Sequence, residues 1–148
     1  VVHVGFENKV LKESGFGHLV PSSENTPILG CIWSSRVFPG LQSKKQELLT
    51  FMVKSDYQGD VESLIDSSLN NQLQITQKPL FLESFDIQQA INQPIIGHSN
   101  VIQNLENSFK KFSPNIYLLG GAYYGVSLGD CINHSHKTAC DFFDSLSL

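Results

Sequence analysis

The sequence predicts an α+β protein, and three observations carry the prediction. Short runs of alternating, β-branched residues separated by turn signals fill the first third of the chain. After Gly59-Asp60 the apolar period changes from two to that of a helix. Near the end, the apolar run Ile116-Tyr117-Leu118-Leu119 feeds a glycine-rich connector, GGAYYGVSLG, before a last helical stretch.

Taken in order, Val1 to Glu7 alternates and reads as the first strand. Gly15-Phe16-Gly17 then leads into His18-Leu19-Val20 as the second, and Ile28 to Phe38, stopped by Pro39-Gly40, makes the third. Glu47 to Lys54 is the fourth. The connections are short, so neighbouring strands are expected to pair antiparallel in a meander. Val61, Leu64, Ile65 and Leu69 share one helical face, with Glu62, Asp66, Asn70 and Asn71 turned away. Lys78-Pro79 restarts an extended run, Leu80 to Phe85. Val101, Ile102, Leu105 and Phe109 mark a second helix that Ser99 or Asn100 can cap and Ser113-Pro114-Asn115 closes. Ile116 to Leu119 reads as a short buried strand, and a helix from about Leu128 to Phe143 ends the chain.

Composition excludes several functions. The chain has 148 residues, 41% hydrophobic and 16% charged, with a net charge of −4. Its basic pairs, Lys44-Lys45 and Lys110-Lys111, lack interleaved aromatics, so nucleic acid is not an expected partner. The stretch from Ile116 to Leu128 is broken by glycines and falls short of the ~20 residues that span a bilayer. Cys31, Cys131 and Cys140 form no C-x-x-C pair and read as free thiols. The opening on Val1, Val2, Val4 and Phe6, without methionine, leads us to expect a piece of a longer chain.

Two motifs invite a chemistry that their context denies. GVSLG matches the nucleophile elbow around Ser127, yet the candidate partners Asp130, His134, His136 and Asp141 all lie on the helix that the serine's own turn begins. Ser127 with Asp130 reads better as a capping pair. Cys131, His134, His136 and Cys140 suggest zinc, but at ~100° per residue they fall at roughly 0°, 300°, 140° and 180° on a helix. They cannot converge on one tetrahedral ion, so no metal is expected. The connector itself is different: glycines let backbone approach a ligand, and the helix N-terminus after it suits something anionic or electron-rich.

Read whole, IYLLGGAYYGVSLGDCI resembles the C-terminal FAD-contacting segment of the oxygen-dependent protoporphyrinogen oxidase family, with its pattern G-(N/A)-x-Y-x-G-V-x-(L/V)-x-D-C-I. Upstream, GFGHLVPSSENTPILGCIWSSRVFPG resembles that family's substrate-domain strands, and AINQPIIGH is similar to its A-I-P-Q-Y-x-x-G-H. The resemblance implies a flavoprotein of the amine-oxidase superfamily that holds FAD noncovalently. It would remove six electrons from protoporphyrinogen IX while O2 reoxidises the flavin to give hydrogen peroxide.

Carried over by motif, Gly125, Val126, Ser127 and Leu128 would contact the flavin, with the amides near Leu128 facing its N1/C2=O edge. Phe16, Leu19, Ile32 and Met52 would line the porphyrinogen pocket, and no residue is assigned as a catalytic base. The implied architecture is an antiparallel sheet belonging to a substrate-binding domain, residues 1–93, then the helix-strand-helix end of a Rossmann-like FAD-binding domain, residues 94–148. The chain would cross between them near Asn92 to Gly97. The resemblance further implies haem and porphyrin biosynthesis and admits a homodimer. It puts the protein peripherally on the mitochondrial inner membrane, or on the cytoplasmic membrane if bacterial.

The sequence departs from the family at Ile87, where a tryptophan is usual, at Asn92 and Pro94, and at Lys54-Ser55 in place of a Gly-Gly pair. The fingerprint G-x-G-x-x-G is nowhere in these residues, so the isolated chain is expected to be inactive. Two other readings stay open. Another flavin amine oxidase or a carotenoid desaturase is one, against which GFGHLVP argues. The other is a noncatalytic tetrapyrrole-binding or scaffold protein.

Overall fold

The computed structural model describes all residues except 41, 42, 44, 89, 114, 147 and 148. Lys44 of the first basic pair and Pro114 of the predicted helix stop therefore lie outside the described residues. The chain divides into two compact units, Val1–Ile87 and Gln88–Leu148.

The first unit is built on a five-stranded antiparallel sheet: β1 (Val2–Phe6), β2 (Gly17–Leu19), β3 (Ile28–Ile32), β4 (Glu47–Val53) and β5 (Phe81–Ser84), in the order β2-β3-β4-β1-β5. This corrects the simple meander. The strands β2, β3 and β4 do follow one another, but β1 sits between β4 and β5. Its Val2, Val4 and Phe6 are buried, so β1 takes an interior place in the sheet and residues 7 to 16 carry the chain across to the β2 edge.

One face of the sheet makes the core. Val2, Val4, Phe6, Ile28, Cys31, Leu49 and Phe51 pack there against Ile65 and Leu69 of the helix α2 (Val61–Leu73). Each fully buried Leu, Ile or Phe side chain contributes about 1.5–3 kcal/mol. Asp60 caps α2 by accepting the amides of Glu62 and Ser63, and Gln74 closes it in the left-handed conformation, φ 55°. A register irregularity between Ile28 and Gly30 lets Ile28 and Cys31, three residues apart, both face the core.

The predicted third strand is too long. The ladder ends at Ile32, and Ser34–Val37 form a single helical turn, α1. The reason lies in the serines. Ser35 Oγ donates to Glu47 and accepts the amide of Leu48 at 2.9 Å, while Ser34 Oγ meets Thr50 Oγ1 at 2.6 Å. Side-chain hydroxyls thus supply the bonds a longer ladder would have made.

The second unit is helical: α3 (His98–Phe112), the one-turn α4 (Gly121–Tyr124) and α5 (Leu128–Leu146). Two expectations fail here. The helix α3 begins at His98, with Gly97 as a left-handed N-cap at φ 89°, so Ser99 and Asn100 lie inside its first turn and cap nothing. Ile116 to Leu119 run without regular secondary structure, and mostly exposed, instead of forming a buried strand. A strand exists only through a neighbour's ladder, and the described residues of this unit hold no other strand.

Candidate functional site

The face of the sheet turned away from α2 carries exposed apolar side chains near β2. Antiparallel register sets which residues share it: Leu19 pairs with Gly30 and Gly30 with Met52, while Gly17 pairs with Ile32 and Ile32 with Thr50. Residues paired across a ladder project to the same side, so Leu19, Ile32 and Met52 share a face, with the side-chain-free Gly30 between Leu19 and Met52. Phe16 joins Leu19 and Ile32 around a shallow hollow of about 220 Å³. Met52 is half-buried on the same face but does not line that hollow. Leu19 is 88% and Phe16 77% exposed, well beyond what a core residue shows.

This face has a polar spot that sequence reasoning missed. His3 pairs with Thr50 across the β1–β4 ladder, and its Nδ1 shares a 2.9 Å hydrogen bond with the threonine hydroxyl. Its ring lies 5.5 Å from that of Phe85, centroid to centroid. The signal was available, because His3 occupies the outward phase of an otherwise apolar alternation.

In the second unit the glycine-rich connector becomes α4 and a bend. Gly125 has φ 127°, a conformation that side chains resist, and a Cβ there would lie 2.9 Å from Asp130 Cβ. Val126 and Leu128 are exposed on either side of Ser127. The Ser127 hydroxyl accepts the amide of Asp130 at 3.0 Å and donates to its carboxylate at 2.6 Å, which is the capping pair expected from the sequence. The first amides of α5 have no carbonyl within the helix to bond and carry its positive pole. The residues present suit a planar, electron-accepting ring: a glycine with no Cβ, two exposed apolar side chains and a helix N-terminus.

Around the bend, sequence reasoning missed the supports. Tyr124 donates to Glu106 of α3, and its ring stacks on His134 of α5 at 3.8 Å. Burial first, and Glu106 second, push the Tyr124 phenol up to about 12. His98 donates from Nε2 to the carbonyl of Ala122 at 2.9 Å. His134 and His136 thus belong to separate neighbourhoods, His136 lying near Cys140 one helical turn on. Among the described residues no group of three or more His, Cys, Asp or Glu is placed to hold a metal. Cys31 is buried, and that desolvation pushes its thiol up to about 12, which makes it inert. Among the described residues no helix is long and apolar enough to cross a membrane.

Known proteins resemble this chain over most of its length. Over 160 residues it is 28% identical to a protoporphyrinogen oxidase of Dictyostelium discoideum, covering 87% of this chain and 30% of that protein. The chain is similar to protoporphyrinogen oxidases. It is 30% identical over 145 residues to the chloroplastic protoporphyrinogen oxidase of Oryza sativa subsp. japonica, covering 90% of this chain and 27% of the relative. To the Homo sapiens protoporphyrinogen oxidase it is 25% identical over 152 residues, covering 94% and 32%. The chain therefore spans about a third or less of the curated protoporphyrinogen oxidases it matches. A solved structure from Exiguobacterium sp. 255-15, provisionally named a protoporphyrinogen oxidase, has the same fold over 89% of this chain, with a TM-score of 0.67 and 21% identity. No family model matches. The resemblance read from the three motifs thus holds across nearly the whole chain.

Proposed function

We propose that this chain supplies two surfaces of a flavin-dependent protoporphyrinogen oxidase of haem and porphyrin biosynthesis: a wall of the tetrapyrrole site and the bend that meets the flavin ring. The observation that carries the reading is the open apolar face on which Leu19, Ile32 and Met52 project together, beside Phe16. A tetrapyrrole carries a broad apolar surface, and the exposed Phe16 and Leu19 offer it an apolar wall.

In this reading Phe16, Leu19, Ile32 and Met52 exclude water from one side of protoporphyrinogen IX and fix its tilt. Gly125 and Val126 would lie against the ring of a bound flavin, and the amides at Ser127 and Leu128, at the positive end of α5, would favour negative charge there. When bound, FAD would accept hydride and pass the electrons to O2, so that removal of six electrons and six protons from the substrate converts three O2 to three H2O2. No base among these residues is required for that chemistry. The chain contains no dinucleotide fingerprint, so the pyrophosphate is held by residues outside it. The first unit then belongs to the substrate-binding domain and the second to the FAD-binding domain. For the whole protein we infer a peripheral seat on a membrane, the mitochondrial inner membrane or, in a bacterium, the cytoplasmic membrane.

The test is to purify the whole protein and record its absorbance. A yellow chromophore, or one gained from added FAD, together with FAD-dependent conversion of protoporphyrinogen IX to the fluorescent porphyrin, supports the reading. A colourless protein that takes up no FAD but still quenches porphyrin fluorescence would instead make it a tetrapyrrole-binding scaffold.

A further inference from the structure

We propose that α3 is a splint for the bend assigned above to the flavin ring, with His98 and Tyr124 as positioning residues; the inference rests on that assignment. The segment to be held is short and pivoted at both ends. Gly120, at φ 104°, and Gly125, at φ 127°, flank Ala122, Tyr123 and Tyr124, and glycine is the residue that least resists backbone rotation. Left alone, such a segment would sample many conformations, and the amides after it would have no fixed direction.

Four contacts from two helices remove that freedom. At the first residue of α3, His98 Nε2 donates to the carbonyl of Ala122 at 2.9 Å, which fixes the proton on Nε2. Eight residues later, ~12 Å along the helix, Glu106 of α3 accepts the Tyr124 hydroxyl. From α5, the His134 ring stacks on Tyr124 with 25° between the planes, and Cys131 Sγ lies 3.5 Å from the carbonyl of Gly125. One rigid helix thus grips the turn at a backbone carbonyl and at a side chain two residues on.

The arrangement gives the Gly97-His98 pair a purpose. Gly97, left-handed at the N-cap, starts α3 with no side-chain cap, and the first side chain of the helix bonds the bend. Amides that stabilise developing charge are effective only when held in place beforehand. A residue that holds them acts on the flavin without touching it.

The experiment uses the whole protein with His98→Ala, His98→Gln and Tyr124→Phe. Glutamine keeps an N–H that can reach Ala122, and phenylalanine keeps the stack on His134 while removing the bond to Glu106. Two readouts are needed. The first is amide hydrogen exchange in the flavin-free protein, with the amides of Lys137 to Phe143 in the far half of α5 as internal control. The second is the flavin dissociation constant and absorption spectrum. Loss of one hydrogen bond, worth about 1 kcal/mol, should speed exchange at Gly125 to Asp130 about five- to tenfold in His98→Ala and Tyr124→Phe. It should also shift the flavin bands and weaken flavin binding by a similar factor, and His98→Gln should recover most of the loss. Unchanged exchange in the bend overturns the splint, whether or not flavin binds. Accelerated exchange in a protein that takes up no FAD upholds the splint and overturns the flavin assignment. If His98→Ala loosens the far half of α5 as well, the unit's fold has suffered, and Tyr124→Phe decides.

Discussion

Ser127 Oγ holds Asp130 twice, accepting its amide at 3.0 Å and donating to its carboxylate at 2.6 Å. The hydroxyl is therefore committed to starting α5. Ser127→Ala is expected to remove about 1 kcal/mol from α5, seen as faster amide exchange in its first turn, and a fluorophosphonate probe should leave Ser127 unlabelled. Labelling would return the serine to the nucleophiles.

Among the described residues of the first unit, Glu47 is the buried charge. Its side chain is fully covered and accepts from Ser35 at 2.9 Å, Arg36 Nε at 3.2 Å and Lys9 Nζ at 3.4 Å. Burial alone would raise its pKa, but the hydrogen bonds from Arg36 and Ser35, with the charges of Lys9 and Arg36, outweigh it and hold the carboxyl below its ordinary value. A carboxyl depressed in the folded state stabilises above its unfolded pKa of about 4.3 and loses that contribution as pH falls through its folded value. Urea melts should show stability insensitive to Glu47 between pH 5 and 7 and falling below about pH 4. Glu47→Gln should destabilise the unit by about 1.5–3 kcal/mol at pH 7 and flatten that acid limb.

Legibility followed periodicity. The alternation of Val2, Val4 and Phe6 and the helical spacing of Val61, Leu64, Ile65 and Leu69 could be read directly, because each pattern reports which face is buried. Strand order could not, since whether β1 lies beside β2 or between β4 and β5 depends on long-range pairing that no local pattern encodes. Ile116 to Leu119 misled because β propensity describes a residue's fit to a ladder, and here the ladder is absent from the described residues. In the site, the capping role of Ser127 was legible from Ser-x-x-Asp spacing. The hold of His98 on Ala122, 24 residues away, was not.

The open face and the core should respond to mutation in opposite ways. Leu49 is fully buried while Leu19 is 88% exposed. Leu49→Ala is expected to cost about 2–5 kcal/mol, measured by urea denaturation. Leu19→Gln should change stability by less than about 0.5 kcal/mol and yet, in the oxidase proposed above, raise KM for protoporphyrinogen IX several-fold with kcat little altered. A Leu19→Gln protein as destabilised as Leu49→Ala would make the residue structural, and unchanged KM would remove it from the tetrapyrrole wall.

Gly30 joins both properties, because it lies in the ladder and is buried beside Leu19, between Leu19 and Met52. A Cβ there would sit 2.6 Å from the carbonyl oxygen of His18 and 3.1 Å from Leu19 Cδ2, so even alanine must push β2 away from β3. Backbone yields less readily than the end of a side chain, and overpacking of this kind costs about 1–3 kcal/mol. Gly30→Ala should therefore lower the urea midpoint and, by tilting Leu19 and Ile32 apart, raise KM for the tetrapyrrole by more than the lost stability explains at temperatures where the variant is fully folded. If Gly30→Ala instead matches the parent in both measurements, β2 has room to move. The missing side chain at Gly30, between Leu19 and Met52, would then not be what shapes this face for a tetrapyrrole.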